Sequence, residues 1–136
     1  MANLTQNTSV SGRLDGRTAE CLIANTVTLY EGELVCINAT GFAVKAVDTA
    51  NFKFYGIAIK GGTGDGTTVT CVVERRGTRW LPKASTAQAD MGKLAYVVDS
   101  GTVGVSATTN IGNVGRIVGI NTANNLVEVD LEDRVA

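Results

Sequence analysis

Turn-forming residues cut this chain into short β-branched runs, and that rhythm rules out most folds. Threonine and valine number 17 each among 136 residues. Both suit a pleated, half-buried surface better than a helix. Most of them fall in segments 17–23, 27–30, 33–38, 42–47, 54–60, 67–75, 78–81, 93–98, 102–106, 114–120 and 126–131. Between them stand Ala39-Thr40-Gly41, Asp48 to Asn51, Gly61 to Gly66, Gly77, Asp99-Ser100-Gly101, Asn110 to Asn113 and Asn121 to Asn125. Gly, Asn and Asp supply the backbone freedom that tight turns need. Pro82 is the only proline, and it ends a run. About ten short strands so spaced predict an all-β chain, an antiparallel barrel or sandwich. Lys83 to Met91 has the only weakly helical pattern, enough for one or two turns. Residues 1–16 are polar and read as an N-terminal arm before a single β domain over 17–133.

Composition narrows the function classes. Apolar residues make up 44%, charged residues 18%, and the net charge is -1. That balance suits a folded domain with a lightly charged surface. It lacks the basic excess that nucleic acid selects, so no nucleic-acid partner is expected. The chain has no histidine, which removes the usual neutral-pH base and the commonest metal ligand. Cys21, Cys36 and Cys71 are widely spaced in apolar runs and read as buried thiols in a reducing compartment. No apolar stretch is long enough for a membrane helix, and Met1 to Gln6 carries no apolar leader. No cofactor, no metal and no enzymatic activity are expected.

An internal echo appears at a shift of 60. Gly32-Glu33-Leu34-Val35-Cys36-Ile37 faces Gly92-Lys93-Leu94-Ala95-Tyr96-Val97, Gly41 faces Gly101, and Phe54 faces Val114. After a slip of one, Gly56-Ile57-Ala58-Ile59 faces Gly115-Arg116-Ile117-Val118. The approximate repeats are 29–59 and 89–119, a possible internal duplication.

Several motifs invite chemistry and fall short of it. Gly61 to Gly66 is followed by Thr67-Thr68 and a β run, without the lysine and helix of a phosphate loop. It reads as a flexible tip, with Gly62, Gly64 and Asp65 as contact candidates. Glu128, Asp130 and Glu132 repeat with period two and read as a wet edge or a salt-bridging face, which would blunt edge-to-edge pairing if 126–131 is an edge strand. Arg75, Arg76, Arg79, Trp80 and Lys83 form a basic group around one indole. Arg and Trp are favoured at protein interfaces, so these five are contact candidates, with a core place for Trp80 as the other reading. In the arm, Leu4, Val10 and Leu14 stand alone among polar residues as further candidates.

The chain resembles the head-decoration, or capsid cement, proteins of tailed phages and prophages. The matching stretches are Leu29 to Val35, Gly41 to Val44, Phe54 to Ala58, Gly66 to Val73, Met91 to Val97, Asn113 to Ile117 and Leu126 to Val129. They cover about residues 17–133 and consist of glycines and apolar strands. The resemblance implies a virion protein on the outside of an assembled capsid, bracing joints between major capsid subunits. The implied partners are the major capsid protein and further copies of the chain, as a homo-trimer. No catalytic residue is implied. Two other readings stay open: a head-tail connector or tail component, and a ligand- or carbohydrate-binding β module.

Overall fold

The computed structural model describes residues 17–134. Twelve strands are present: β1 (Thr18–Leu22), β2 (Thr28–Leu29), β3 (Leu34–Ile37), β4 (Ala43–Lys45), β5 (Lys53–Lys60), β6 (Gly62–Thr63), β7 (Thr70–Glu74), β8 (Thr78–Pro82), β9 (Leu94–Asp99), β10 (Thr102–Gly104), β11 (Asn113–Asn121) and β12 (Leu126–Asp130). The stretch with a helical pattern supplies one 3-10 turn, Gln88–Asp90. The chain is all-β, and every ladder between strands is antiparallel.

Two five-stranded sheets carry the fold. The first has the order β1-β7-β5-β3-β4 and the second β8-β12-β11-β9-β10. Read in chain order, the wiring is the same in both. An outer strand comes first, a hairpin follows, and two strands return to fill the gap. The registers match too. Thr18 faces Glu74 as Thr78 faces Asp130, and Leu22 faces Thr70 as Pro82 faces Leu126. Each sheet has a bulge opposite the hairpin strand, between Phe54 and Gly56 on β5 and between Asn113 and Gly115 on β11. Each has a second one, at Ala58/Lys60 and Ile117/Gly119. A lone parallel bridge touches the two margins of each sheet together, Ile23 to Ala43 and Lys83 to Val103. Bulges sharpen bend and twist, so both sheets curl until their ends meet without closing.

The sequence echo falls on equivalent positions, with one correction. Phe54 pairs with Cys36 as Asn113 pairs with Tyr96, so Phe54 corresponds to Asn113 and the slip lies before it. The units also differ by an excursion. The link from β5 to β7 contains β6, which pairs with β2, where the second unit has only the turn Asn121 to Asn125.

The cores explain the residue choice. Val35, Ala43, Ala58, Cys71 and Val73 fill the curl of the first sheet, capped by Ile23 and Leu29. Ala95, Val97, Val103, Val114, Ile117, Val127 and Val129 fill the second. Full burial of such a side chain contributes roughly 1.5–3 kcal/mol. The outer face of the first sheet, with Leu34, Cys36, Val44 and Ile57, packs into the second unit's core. Hence β3 is apolar throughout, Leu-Val-Cys-Ile, whereas β12 alternates, Leu-Val-Glu-Val-Asp. Of the three thiols expected to be buried, Cys36 and Cys71 are, and Cys21 is half-buried with its S–H toward the Gly41 carbonyl. Burial pushes the thiols of Cys36 and Cys71 up to about 11.

Two glycine pairs mark the duplication. Gly32 and Gly92 hold φ of 88° and 82° before the hairpin, where a side chain would strain the turn. Gly56 and Gly115 sit where a neighbouring backbone crosses. A Cβ would lie 2.8 Å from the Glu74 carbonyl oxygen at Gly56 and 2.1 Å from that of Asp130 at Gly115. Gly115→Ala is therefore expected to destabilise by about 1–3 kcal/mol, and Gly56→Ala by less. Urea unfolding of the two variants checks the order.

Candidate functional site

The link between the units gathers three arginines around two carboxylates, Glu74 and Glu132. β7 ends at Glu74, Arg75-Arg76-Gly77 turns, and β8 begins at Thr78. Glu74 is buried, and it accepts hydrogen bonds from Arg79 and, at 3.0 Å, from Arg17 Nε. Arg79 and then Arg17 hold its carboxyl below the usual range against the upward push of burial. Glu132 accepts from the Gly77 N–H at 3.0 Å and from Arg76 Nε at 3.0 Å, in that order of effect, and is lowered too. An open cleft of about 490 Å³ lies here, lined by Arg17, Glu74, Arg76, Gly77, Thr78 and Glu132. Its carboxylates and guanidiniums neutralise one another, and the Thr78 hydroxyl is bonded to Glu128 at 3.1 Å. This arrangement clamps strands of both units together.

Period two on β8 splits the basic group. Arg79 and Leu81 point inward, and Trp80 and Pro82 outward. Trp80 is 48% exposed, which corrects the core reading. Its indole reaches across the sheet to Gly119, where a Cβ would lie 3.1 Å from the ring. Arg75 and Arg76 are exposed in the turn, with the Arg75 guanidinium 5.4 Å from the Tyr55 ring centre. Lys83 is a correction. Its side chain is only 13% exposed and pairs with buried Asp90 at 3.3 Å, so its charge is spent inside the unit. Burial pushes Asp90 up, but the Ala87 N–H, Lys83 and Lys93 outweigh it, and the net direction is down.

The glycine tip is corrected as well. Gly62 belongs to β6, and Gly64 is buried, with its N–H bonded to the Val27 carbonyl and its own carbonyl to the Thr26 N–H. A Cβ at Gly64 would lie 2.2 Å from the Ala24 carbonyl oxygen. These glycines let two backbones meet, so Gly64 has no surface to offer. Asp65 is exposed and accepts from the N–H groups of Thr67 and Thr68 and from the Thr68 hydroxyl, which hold its carboxyl far below the usual range. Leu4, Val10 and Leu14 lie outside the described residues. Of the two readings of the acidic row, the structure has the paired face and not the edge: β12 lies between β11 and β8, Glu132 pairs with Arg76, and Glu128 accepts from the Thr78 hydroxyl.

Three residues escaped the sequence reading. Glu74 looked like the end of a β run, and its burial depends on arginines 57 and 5 positions away. Val98 and Val118 are 59% and 41% exposed on the outer face of the second sheet. The signal was local: in Val97-Val98 and Ile117-Val118 two β-branched residues are adjacent, so one of each pair must face away from the core. Neither the cleft at the link nor the smaller one by Asn38 and Lys53 is lined by Trp80 or a tyrosine. Compared with protein families, with curated proteins and with solved structures, the chain matches none.

Glu74→Gln is expected to cost about 1–2 kcal/mol at neutral pH, since hydrogen bonds to a charged acceptor are weakened but not removed. A carboxyl held low in the folded state stabilises it above the unfolded value of 4.5. That stability is lost as pH falls through the lower folded value. Unfolding free energies of the two proteins should therefore differ at pH 7 and converge as pH falls below 4.5 and through the lowered folded value.

Proposed function

We propose that this protein is a capsid decoration protein, which binds the outer surface of an assembled phage head and braces the joints between major capsid subunits. It then resides on the virion surface after assembly in the host cytoplasm. The observation that carries the reading is Trp80. It stands half-exposed on the outer face of β8 and lines neither cleft, with Arg75 and Arg76 exposed in the turn that precedes its strand. A large indole held rigid by the sheet, with arginines beside it, is the composition of an interface anchor. A cleft of mutually neutralised charges supplies no acid-base pair of the contrasting kind a hydrolase needs. The resemblance to cement proteins over residues 17–133 supports the same reading.

The mechanism is linkage. A protein that binds the shell and not the free subunit stabilises the shell by the free energy of that binding. Symmetry repeats the contact, so each one can be weak. Two stacked cores with clamped strands suit such a brace, because little of the binding energy is spent on ordering the protein.

Purified protein mixed with undecorated, expanded capsids should co-sediment to saturation, and should leave free major capsid subunits alone. Trp80→Ala should weaken shell binding tenfold or more without changing the monomer's fold by circular dichroism. Absence of binding to shells would move the assignment to a connector or tail component.

A further inference from the structure

We propose that one half of the second sheet's outer face, formed by β9, β10 and β11, docks a second copy of this chain through that copy's β3–β4 turn and its loop from Ala46 to Phe52. The duplication supplies the template. In the first unit the corresponding half-face, Leu34, Cys36, Val44 and Ile57, is 8% exposed or less. The β9–β10 turn and the β10–β11 loop of the second unit are what meet it. The Ser100 carbonyl accepts from the Leu34 N–H at 2.8 Å, and Ile111 joins the same buried cluster. Asp48 ties the two loops by accepting from the N–H groups of Thr109 and Asn110 at 3.1 and 2.9 Å.

At the equivalent places in the second unit stand Leu94, Tyr96, Gly104 and Arg116, all only partly covered, with the Arg116 guanidinium at the margin paired with Asp133 at 3.0 Å and donating to the Gly92 carbonyl. Val98, at the end of the same face, lies over Gly104, where a Cβ would meet it at 3.1 Å. The first unit has Asn38 there, which is spent on its own turn, bonding the Thr40 and Phe42 N–H groups at 3.0 Å. The covering segments also have equivalents. Thr40 occupies the place of Ser100, and the loop from Ala46 to Phe52 that of the Ile111 loop. In the first unit both are open to solvent over much of their length, and Val47 is 45% exposed there. A half-face whose exposed apolar members are Leu94, Tyr96 and Val98 lacks its cover in one unit, and the matching cover lacks its face in the other. A second copy satisfies both, with its Thr40 carbonyl meeting the Leu94 N–H as Ser100 meets Leu34.

Such a contact is heterologous: one patch meets a different patch on the next copy. It closes into a ring when the rotation permits and otherwise extends. The β8 end of the sheet, with Trp80, stays outside it. The inference does not depend on the capsid reading, and its test contains no capsids.

Sedimentation velocity of the full chain from micromolar to near-millimolar concentration should show a reversible, concentration-dependent assembly larger than a monomer. Val98→Asp and Val47→Asp, each with unchanged circular dichroism, should each raise the dissociation constant tenfold or more. If Val98→Asp fails to fold, Val98→Asn, which installs the first unit's own residue, takes its place. The decisive arm is a mixture. Each variant alone is a monomer, and a one-to-one mixture forms a dimer and nothing larger, because one intact contact remains between the undamaged patches. A wild type that stays monomeric, a folded variant that still assembles, or a mixture that stays monomeric overturns the proposal.

Discussion

A small curled sheet can hide one face in its own concavity, and the other face is left to water or to a partner. In the first unit that other face is Leu34, Cys36, Val44 and Ile57, four apolar residues with no polar alternation. Left wet, they would forfeit the burial that holds the unit in place. The second unit covers them, and its own core runs continuously into theirs. Most other features follow from that contact. It explains why β3 is apolar on both sides and why Asp48 reaches the Thr109 loop. It also explains why Glu132 holds the turn at Arg76 and Gly77 while Glu74 joins Arg17 to Arg79 across it: a link between two packed units must not swing.

The charged residues serve the packing. Glu74 takes two arginines, Asp90 takes Lys83 and Lys93 at 3.3 and 3.8 Å, and Glu33 takes Lys45. Glu74 ends β7, Glu33 precedes β3 and Asp90 ends the 3-10 turn, and each holds a cation within the fold. What remains is the Arg75 guanidinium, exposed beside the Tyr55 ring, while that of Arg76 is paired with Glu132.

The fold class was legible because its signals are local. Period-two alternation, β-branched runs and glycine turns are each read within a few residues. The duplication was legible for the same reason: its mark is a repeated turn-strand-turn pattern starting at Gly32 and Gly92. The identity of the edges was not legible, since β12 looks like a terminal strand and lies between two neighbours only because β8 pairs back onto it. The glycine tip was misread because the density of glycines has two causes, freedom and close approach. Gly64 is there for the second, with carbonyls of Ile23 and Ala24 against it. Lys83 was misread because its partner, Asp90, belongs to a turn whose burial no local pattern announces.

The wiring of the sheets sets a schedule for synthesis. In each unit the first strand pairs with the last, β1 with β7 and β8 with β12. Neither sheet can complete its ladder until its final strand has been made, and non-local pairings of this kind form slowly. The first unit, once complete, still displays Leu34, Cys36, Val44 and Ile57 until the second unit arrives to cover them. A half-made chain is therefore the sticky species, exposing an apolar sheet to its neighbours on the same message. The turn at Arg75 to Gly77 shortens that interval, because it delivers the covering unit to the place where it is needed and spares it a diffusional search.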